Sequence, residues 1–417
     1  MDWRTPEVRI SQSARETRRL RIVDRIFDGE EESYAEALAE AYRLKVRPLC
    51  LCREPGMPMY IAQIGGQLVV KRMPLSGGDH HATCPSYEPP YELSGLGALM
   101  GTAIKLDAVA GFAALKLDFP LSKRGASGPE NTDSSQSDSV KNDSKRLSLR
   151  ALLHLLWHES GLTEWTSYWS GKRHWWQIYH HLIEAARTMS VRGEPLAERL
   201  FVPEPFRTDD KAAIEQRRSQ AMAALARSGT GPKKLMLLVG EIKEFAAARS
   251  GQQVVVKHMP GFRLHLEETV WRRLQRRFEA ELALWKSDDR HHLIAIATIE
   301  AGSAGLVTIN EIALMTVTEQ WLPVENAHEE RLLEKLVRLR GKTVKGLRFN
   351  LATSQPLANA ILPEARPKPT ALYIVPPNAD DRFEASLREM IDARPDMSAW
   401  IWRVADGDIP PPPWDPN

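Results

Sequence analysis

Cys50-Leu51-Cys52, followed by Asp79-His80-His81-Ala82-Thr83-Cys84, holds all three cysteines of this 417-residue chain. Random placement would group three cysteines this tightly roughly 2% of the time, so the clustering asks for a cause. Thiolate and imidazole are the usual ligands of a tetrahedral zinc ion. Cys50 and Cys52 offer two sulfurs from one turn. Between the two halves, residues 59–64 and 67–71 read as strands joined by the glycine turn Gly65-Gly66. That hairpin returns the chain, so that Cys84 and one histidine complete the set. Two ligand pairs bracketing a hairpin is the logic of a zinc ribbon, and four protein ligands give the Zn2+ a structural role. His80 is preferred over His81, because Asp79 beside it is a candidate acceptor for the other ring nitrogen. The competing readings are incidental buried cysteines and a redox Cys-x-Cys pair.

Outward from this block, the chain divides by composition. Residues 1–46 open Arg-rich and continue into good helix formers, so a helical segment is expected there. Residues 47–121 read as the zinc-bound β-rich lobe, with a second hairpin over 102–106 and 112–118. Residues 122–146 contain one aliphatic β-branched residue, Val140, and no aromatic, the composition of a flexible linker. A helical region with a candidate helix-turn-helix follows over 147–228, then an α/β domain over 229–405 and a Pro-rich, extended tail over 406–417. The expected fold class is therefore mixed α+β and multidomain.

With 43% hydrophobic and 26% charged residues the composition is that of a globular protein, and no apolar run approaches the ~20 residues of a membrane span. The N-terminus lacks a signal-peptide pattern, and the odd cysteine count argues against a disulfide framework, so the cytoplasm is the expected compartment. A net charge of +2 means that any contact with a polyanion rests on local patches.

Two patches stand out. Trp157, Trp165, Trp169, Trp175 and Trp176 surround Ser170-Gly171-Lys172-Arg173-His174. Lys172, Arg173 and Trp175 could hold phosphates and stack bases, or the tryptophans could fill a small helical core with a basic rim. The expected helix 267–286 carries an apolar stripe at Trp271, Leu274, Phe278, Leu282 and Trp285, with Arg272, Arg273, Arg276 and Arg277 on other faces. Those arginines suit a phosphate backbone or a solvated face neutralised by neighbouring glutamates.

Enzyme motifs are scarce. There is no phosphate-binding Gly-x4-Gly-Lys loop, no His-Glu-x2-His and no Gly-x-Ser-x-Gly. The C-terminal succession of a helix with Glu329 and Glu330, then 344–349, 358–362 and 369–375, looks like a restriction-endonuclease-like PD-(D/E)-x-K core. Ala358-Asn359 stands where Pro-Asp belongs, so a degenerate site is expected. Displaced catalytic groups would be Glu330, Glu364 and Lys345.

The run Arg47-Pro-Leu-Cys-Leu-Cys52, Val70-Lys-Arg-Met-Pro74, Gly78-Asp-His80-x3-Cys84-Pro-Ser-Tyr-Glu-Pro89 resembles the bacterial family catalogued as Domain of Unknown Function 1173. So do Leu115–Pro120, Leu200–Pro205, Leu237–Lys243 and Ala313–Glu319. The resemblance implies no established activity. It implies metal ligands at Cys50, Cys52, His80 and Cys84, and a setting on mobile elements, with DNA or another mobile-element protein as partner. The leading expectation is a zinc-stabilised, non-catalytic protein that binds nucleic acid or a partner. The alternatives are a divergent nuclease and a structural adaptor.

Overall fold

The computed structural model describes residues 18–29, 33–64, 66–81, 83–107, 111–123, 145–226, 233–302 and 306–411. It is a mixed α+β protein. The first sheet contains β1 (Arg19–Ile22), β2 (Arg25–Asp28), β3 (Leu49–Cys50), β4 (Met57–Ile64) and β5 (Gln67–Arg72), in the order β2-β1-β3-β4-β5 and antiparallel throughout. Helix α1 (Tyr34–Leu44) lays Ala37, Leu38 and Ala41 on it. The expected β4–β5 hairpin is present. The described part of the Arg-rich opening is not helical, however: Leu20, Ile22 and Phe27 alternate inward while Arg19, Arg21 and Arg25 point out, which is strand periodicity.

Next come β6 (Ile104–Asp107), β7 (Phe112–Leu115) and β8 (Ser122–Lys123). Of the expected linker, residues 124–144 lie outside the described residues. Helix α2 (Leu149–Glu159) begins where the Ser148 side chain accepts from the Ala151 amide, and it is apolar on nearly every side. After β9 (Glu164–Trp165), helix α3 runs over Trp175–Arg187. The connection from 160 to 174 contains a strand, where a helix-turn-helix needs a turn of three or four residues. Buried α2 also has no face to offer DNA, so these two helices are not that motif. Strands β10 (Met189–Val191) and β11 (Glu194–Pro195) join β7 and β6 in a sheet of order β11-β10-β7-β6.

The middle of the chain is a barrel. After β12 (Leu200–Phe201), α4 (Lys211–Ala226) and β13 (Lys233–Lys234), the barrel strands are β14 (Met236–Ala247), β15 (Gln252–Val256) and β16 (Arg263–Leu266). Helices α5 (Glu268–Arg277) and α6 (Glu279–Ser287) lead to β17 (His292–Ala301) and β18 (Val307–Val317). The expected single helix over 267–286 is broken at Phe278, whose φ of −120° departs from helical backbone while its ring stays buried. β14 pairs with β15, β15 with β16, β16 in parallel with β18, β18 with β17, and β17 with the first half of β14. Long β14 thus belongs to both edges and closes the sheet. Its register shifts after Ile242, where the strand leaves β17 for β15. Leu237, Val239, Val254, Leu264, Ile296 and Leu314 are among its buried residues.

Strand β19 (Pro323–Val324) and helix α7 (Ala327–Leu339) lead into β20 (Thr343–Lys345), β21 (Ala360–Leu362), β22 (Thr370–Val375), α8 (Asp381–Asp392) and β23 (Ser398–Arg403). Their sheet runs β23-β22-β21-β20-β9, with β22 and β23 parallel. The start of the expected extended, exposed Pro-rich tail is docked: Trp400 donates to the Pro411 carbonyl at 3.0 Å and Lys335 to that of Pro410 at 3.2 Å. One continuous core runs from Leu75 through α2, α3 and the barrel to Phe349. It therefore crosses the compositional boundaries at 147 and 229. No helix among the described residues is long and apolar enough to cross a membrane.

Candidate metal centre

Cys50 ends β3, whose pairing with β1 and β4 fixes its direction. Cys52 follows in the turn, held where the Leu51 amide donates to the Arg19 carbonyl. The other two groups come from the segment after β5. A short 3-10 turn over Gly77–Asp79 ends at His80, whose amide donates back to Gly77. The Cys84 amide donates to the His81 carbonyl at 2.8 Å and closes the loop. Gly77 is required here: a Cβ on it would lie 2.4 Å from the Glu88 side chain.

The ligand atoms of Cys50, Cys52, His80 and Cys84 all lie within 4.8 Å of one another. Cys50 and Cys84 sulfurs are 3.6 Å apart, and His80 Nδ1 lies 3.3 Å from Cys52 and 3.7 Å from Cys84. A tetrahedral ion with bonds of about 2.3 Å to sulfur and 2.0–2.1 Å to nitrogen calls for edges of about 3.8 and 3.5 Å. The set fits. Within the Cys50–Cys84 pair the negative charge favours Cys84, which is held down at about 3, first by its hydrogen bond with Cys50 and next by His80. Cys50 is pushed up by the same bond and by burial. The Ser86 amide donates to the Cys84 sulfur at 3.4 Å.

His81 is exposed and its Nδ1 engages the Thr83 hydroxyl at 2.9 Å, so it is not in the set. Asp79 is not the acceptor expected for His80. It is exposed, and among the described residues His80 Nε2 is buried without a partner. What the sequence did not reveal is how this loop is tied to the rest. Buried Glu88 pairs with Arg72 and approaches His158 Nε2 at 3.5 Å, while Arg72 reaches Glu164 at 3.3 Å. His158-Glu159, at the end of α2, thus meets the loop directly, and the Leu75 amide donates to Glu159 at 3.3 Å.

The other singled-out residues do not assemble into a site. Arg173 is buried and donates to the carbonyls of Leu162, Glu164 and Gln320. Trp175 is buried, donates to the Pro203 carbonyl at 2.7 Å and stacks on His258. Neither faces a ligand. Lys172 is exposed over the Tyr168 ring. Arg272, Arg273, Arg276 and Arg277 are exposed on α5, with Arg272 paired to Glu268.

In the C-terminal sheet, Lys345 and Asn359 both donate to one oxygen of buried Glu329, at 3.0 and 2.7 Å, and the Glu325 amide donates to the other. Glu330 turns instead to His291, at 2.6 Å, and Glu364 is exposed. The displaced catalytic trio does not form. Asp288, His291 and Glu330 make a second cluster, but Arg290 clamps Asp288 and His291 also bonds the Leu284 carbonyl, which accounts for those groups without an ion.

No curated protein and no solved structure matches the chain. A family model matches residues 20–405, nearly the whole length. The cysteine–histidine block and the barrel both fall inside that span, and the chain belongs to the family described as Protein of unknown function (DUF1173).

Proposed function

We propose that the chain is a zinc-stabilised, non-catalytic protein whose barrel supports the binding of single-stranded nucleic acid. The observation that carries this reading is the order of the barrel strands. Counted from β14, they pair 1-2-3-5-4 and back to 1, with strand 3 parallel to strand 5 and helices between strands 3 and 4. That is the connectivity of the OB-fold, an architecture used for oligonucleotides and oligosaccharides. The warrant is one of fold, so the binding itself is what needs measuring. Zinc suits the Cys3His set, and a reducing compartment such as the cytoplasm suits its free cysteines. The implied setting on a mobile element supplies single strands during transfer and replication.

The test is fluorescence anisotropy of labelled single-stranded and duplex 20-mers between 50 and 200 mM salt. Tighter binding of the single strand, weakening steeply with salt, is expected. Binding that ignores salt, or none, would overturn the nucleic-acid reading.

The second reading, a nuclease relic, is favoured by the element order α7-β20-β21-β22-α8-β23 and by the place of Glu329, Lys345 and Asn359 within it. Glu329 has both oxygens engaged and a lysine on one of them, so the charge that magnesium needs is already neutralised. Magnesium-dependent cleavage by the wild-type chain, lost in Glu329→Gln, would sink the non-catalytic assignment.

A further inference from the structure

A cleft of about 510 Å³ opens where the β11-β10-β7-β6 sheet meets the β8–β13 ribbon. Its floor is apolar, built from Leu115, Phe119 and Val191 among others. Its rim carries Lys105, Lys116, Arg146, Arg192 and Arg199 against a single carboxylate, Glu194. That carboxylate is already taken. Arg199 donates to it through two nitrogens, at 2.9 and 2.5 Å, and holds it below the usual carboxylate range.

The other four cations are exposed, and among the described residues none has a carboxylate within ion-pair distance. Paired cations are found elsewhere on the surface. Arg272 pairs with Glu268, Arg290 with Asp288 and Arg403 with Glu384. In a chain whose net charge is only +2, four cations lining one concavity with no ion pair among the described residues are a local excess, which a bound polyanion would offset.

The turn that presents Arg192 supports this. Arg192 and Gly193 join β10 to β11 with φ of 53° and 82°, a two-residue turn with both residues left-handed. Asparagine or glycine adopts the first position with less strain than arginine does. A guanidinium is therefore held at the lip of the cleft against local backbone preference. A second cavity of about 280 Å³ shares Glu194 and Arg199, adds the carboxylate of Glu198, and reaches from Lys234 at the end of β13 to Met236 at the start of β14. Side by side across Glu194 and Arg199, the two cavities line a channel-like path that leads to the first strand of the barrel.

We infer that this channel is the seat for single-stranded nucleic acid, with Lys105, Lys116, Arg146 and Arg192 on successive phosphates and the apolar floor under the bases. The inference rests on the function proposed above and names its site. Unpaired bases can cover the apolar floor, whereas the bases of a duplex are stacked inside it and a purely acidic peptide has none.

The experiment compares full-length chains by anisotropy on a labelled 20-nucleotide oligothymidylate. Lys105→Glu/Lys116→Glu/Arg192→Glu is expected to weaken binding at least tenfold and to lower the slope of log K against log salt by about two. Lys105→Gln/Lys116→Gln/Arg192→Asn adds no charge and suits the turn, and it should weaken binding in the same direction with an unchanged melting curve. Arg272→Glu/Arg273→Glu, on α5, should change affinity by less than twofold. Wild-type binding that survives both triple variants would overturn the channel and leave the broader function standing. Absence of wild-type binding would overturn both. Competition by polyglutamate as effective as by unlabelled oligothymidylate would replace the nucleic acid with an acidic peptide and refute the inference.

Discussion

The cysteines of 50–84 and the tryptophans of 157–176 are both clusters of uncommon residues, and the fold uses them in opposite ways. The cysteines converge on one point with His80, as ligands must. The tryptophans disperse: Trp157, Trp165 and Trp175 are buried at different places in the core, and only Trp176 is well exposed. Between them, Arg173 sits buried as a brace for three carbonyls. The difference lies in how many physical uses a side chain has. Three thiols and an imidazole at this spacing have one ready use, whereas an indole or a guanidinium stabilises a core as readily as it binds a phosphate.

The sharpest way to break this contrast is to remove a ligand. Cys84→Ser should abolish bound metal, from about one ion per chain to none by elemental mass spectrometry. A structural ion of this kind contributes on the order of 10 kcal/mol, so the first sheet should lose its protection against proteolysis. The barrel, closed by its own strand pairing and apolar interior, should keep its protection from hydrogen exchange. A variant that still holds its metal, or a wild type that holds none, removes the basis for the metal centre.

A smaller effect is expected at the other cluster. Arg173→Ala leaves one buried and two half-buried carbonyls without this donor, a loss of about 3 kcal/mol that a denaturant midpoint would read. Its affinity for single-stranded DNA should match the wild type. Stability left intact with affinity lost would mean that the sequence-based assignment of Arg173 to an interface was sound and the brace incidental.

How much of this was legible follows from range. The ligand set was legible because all four groups fall in one short block and the β4–β5 hairpin between them is local. The strands of the barrel were partly legible one by one, from their apolar runs. Their closure was not, since it depends on the parallel pairing of β16 with β18 and on β14 serving two neighbours. Short β16 also hides between Gly261 and the start of α5, where its four residues carry only a brief alternation. The break at Phe278 is invisible because the apolar stripe keeps its spacing across it. The basic channel could not be seen at all: Lys105, Lys116, Arg146, Arg192 and Arg199 lie on separate stretches that only the folded sheet brings together.

The smallest expected effect tests the choice between adjacent histidines. His80 has extended backbone, with φ −74° and ψ 159°, and neighbouring side chains on extended backbone point to opposite sides. Only one of the pair can therefore face the cysteines, and burial decides which. His80 is fully buried beside Cys52 and Cys84, while His81 lies outside, bonded to Thr83. His81→Ala should keep the metal content of the wild type and shift stability by no more than about 0.5 kcal/mol, the usual scale for a surface change. His80→Ala should lose the ion as Cys84→Ser does, because three thiolates alone leave the tetrahedron open. Equal metal loss in both histidine variants would mean that the segment moves as a unit, and that the ligand was selected by the loop as a whole and not by the direction of one side chain.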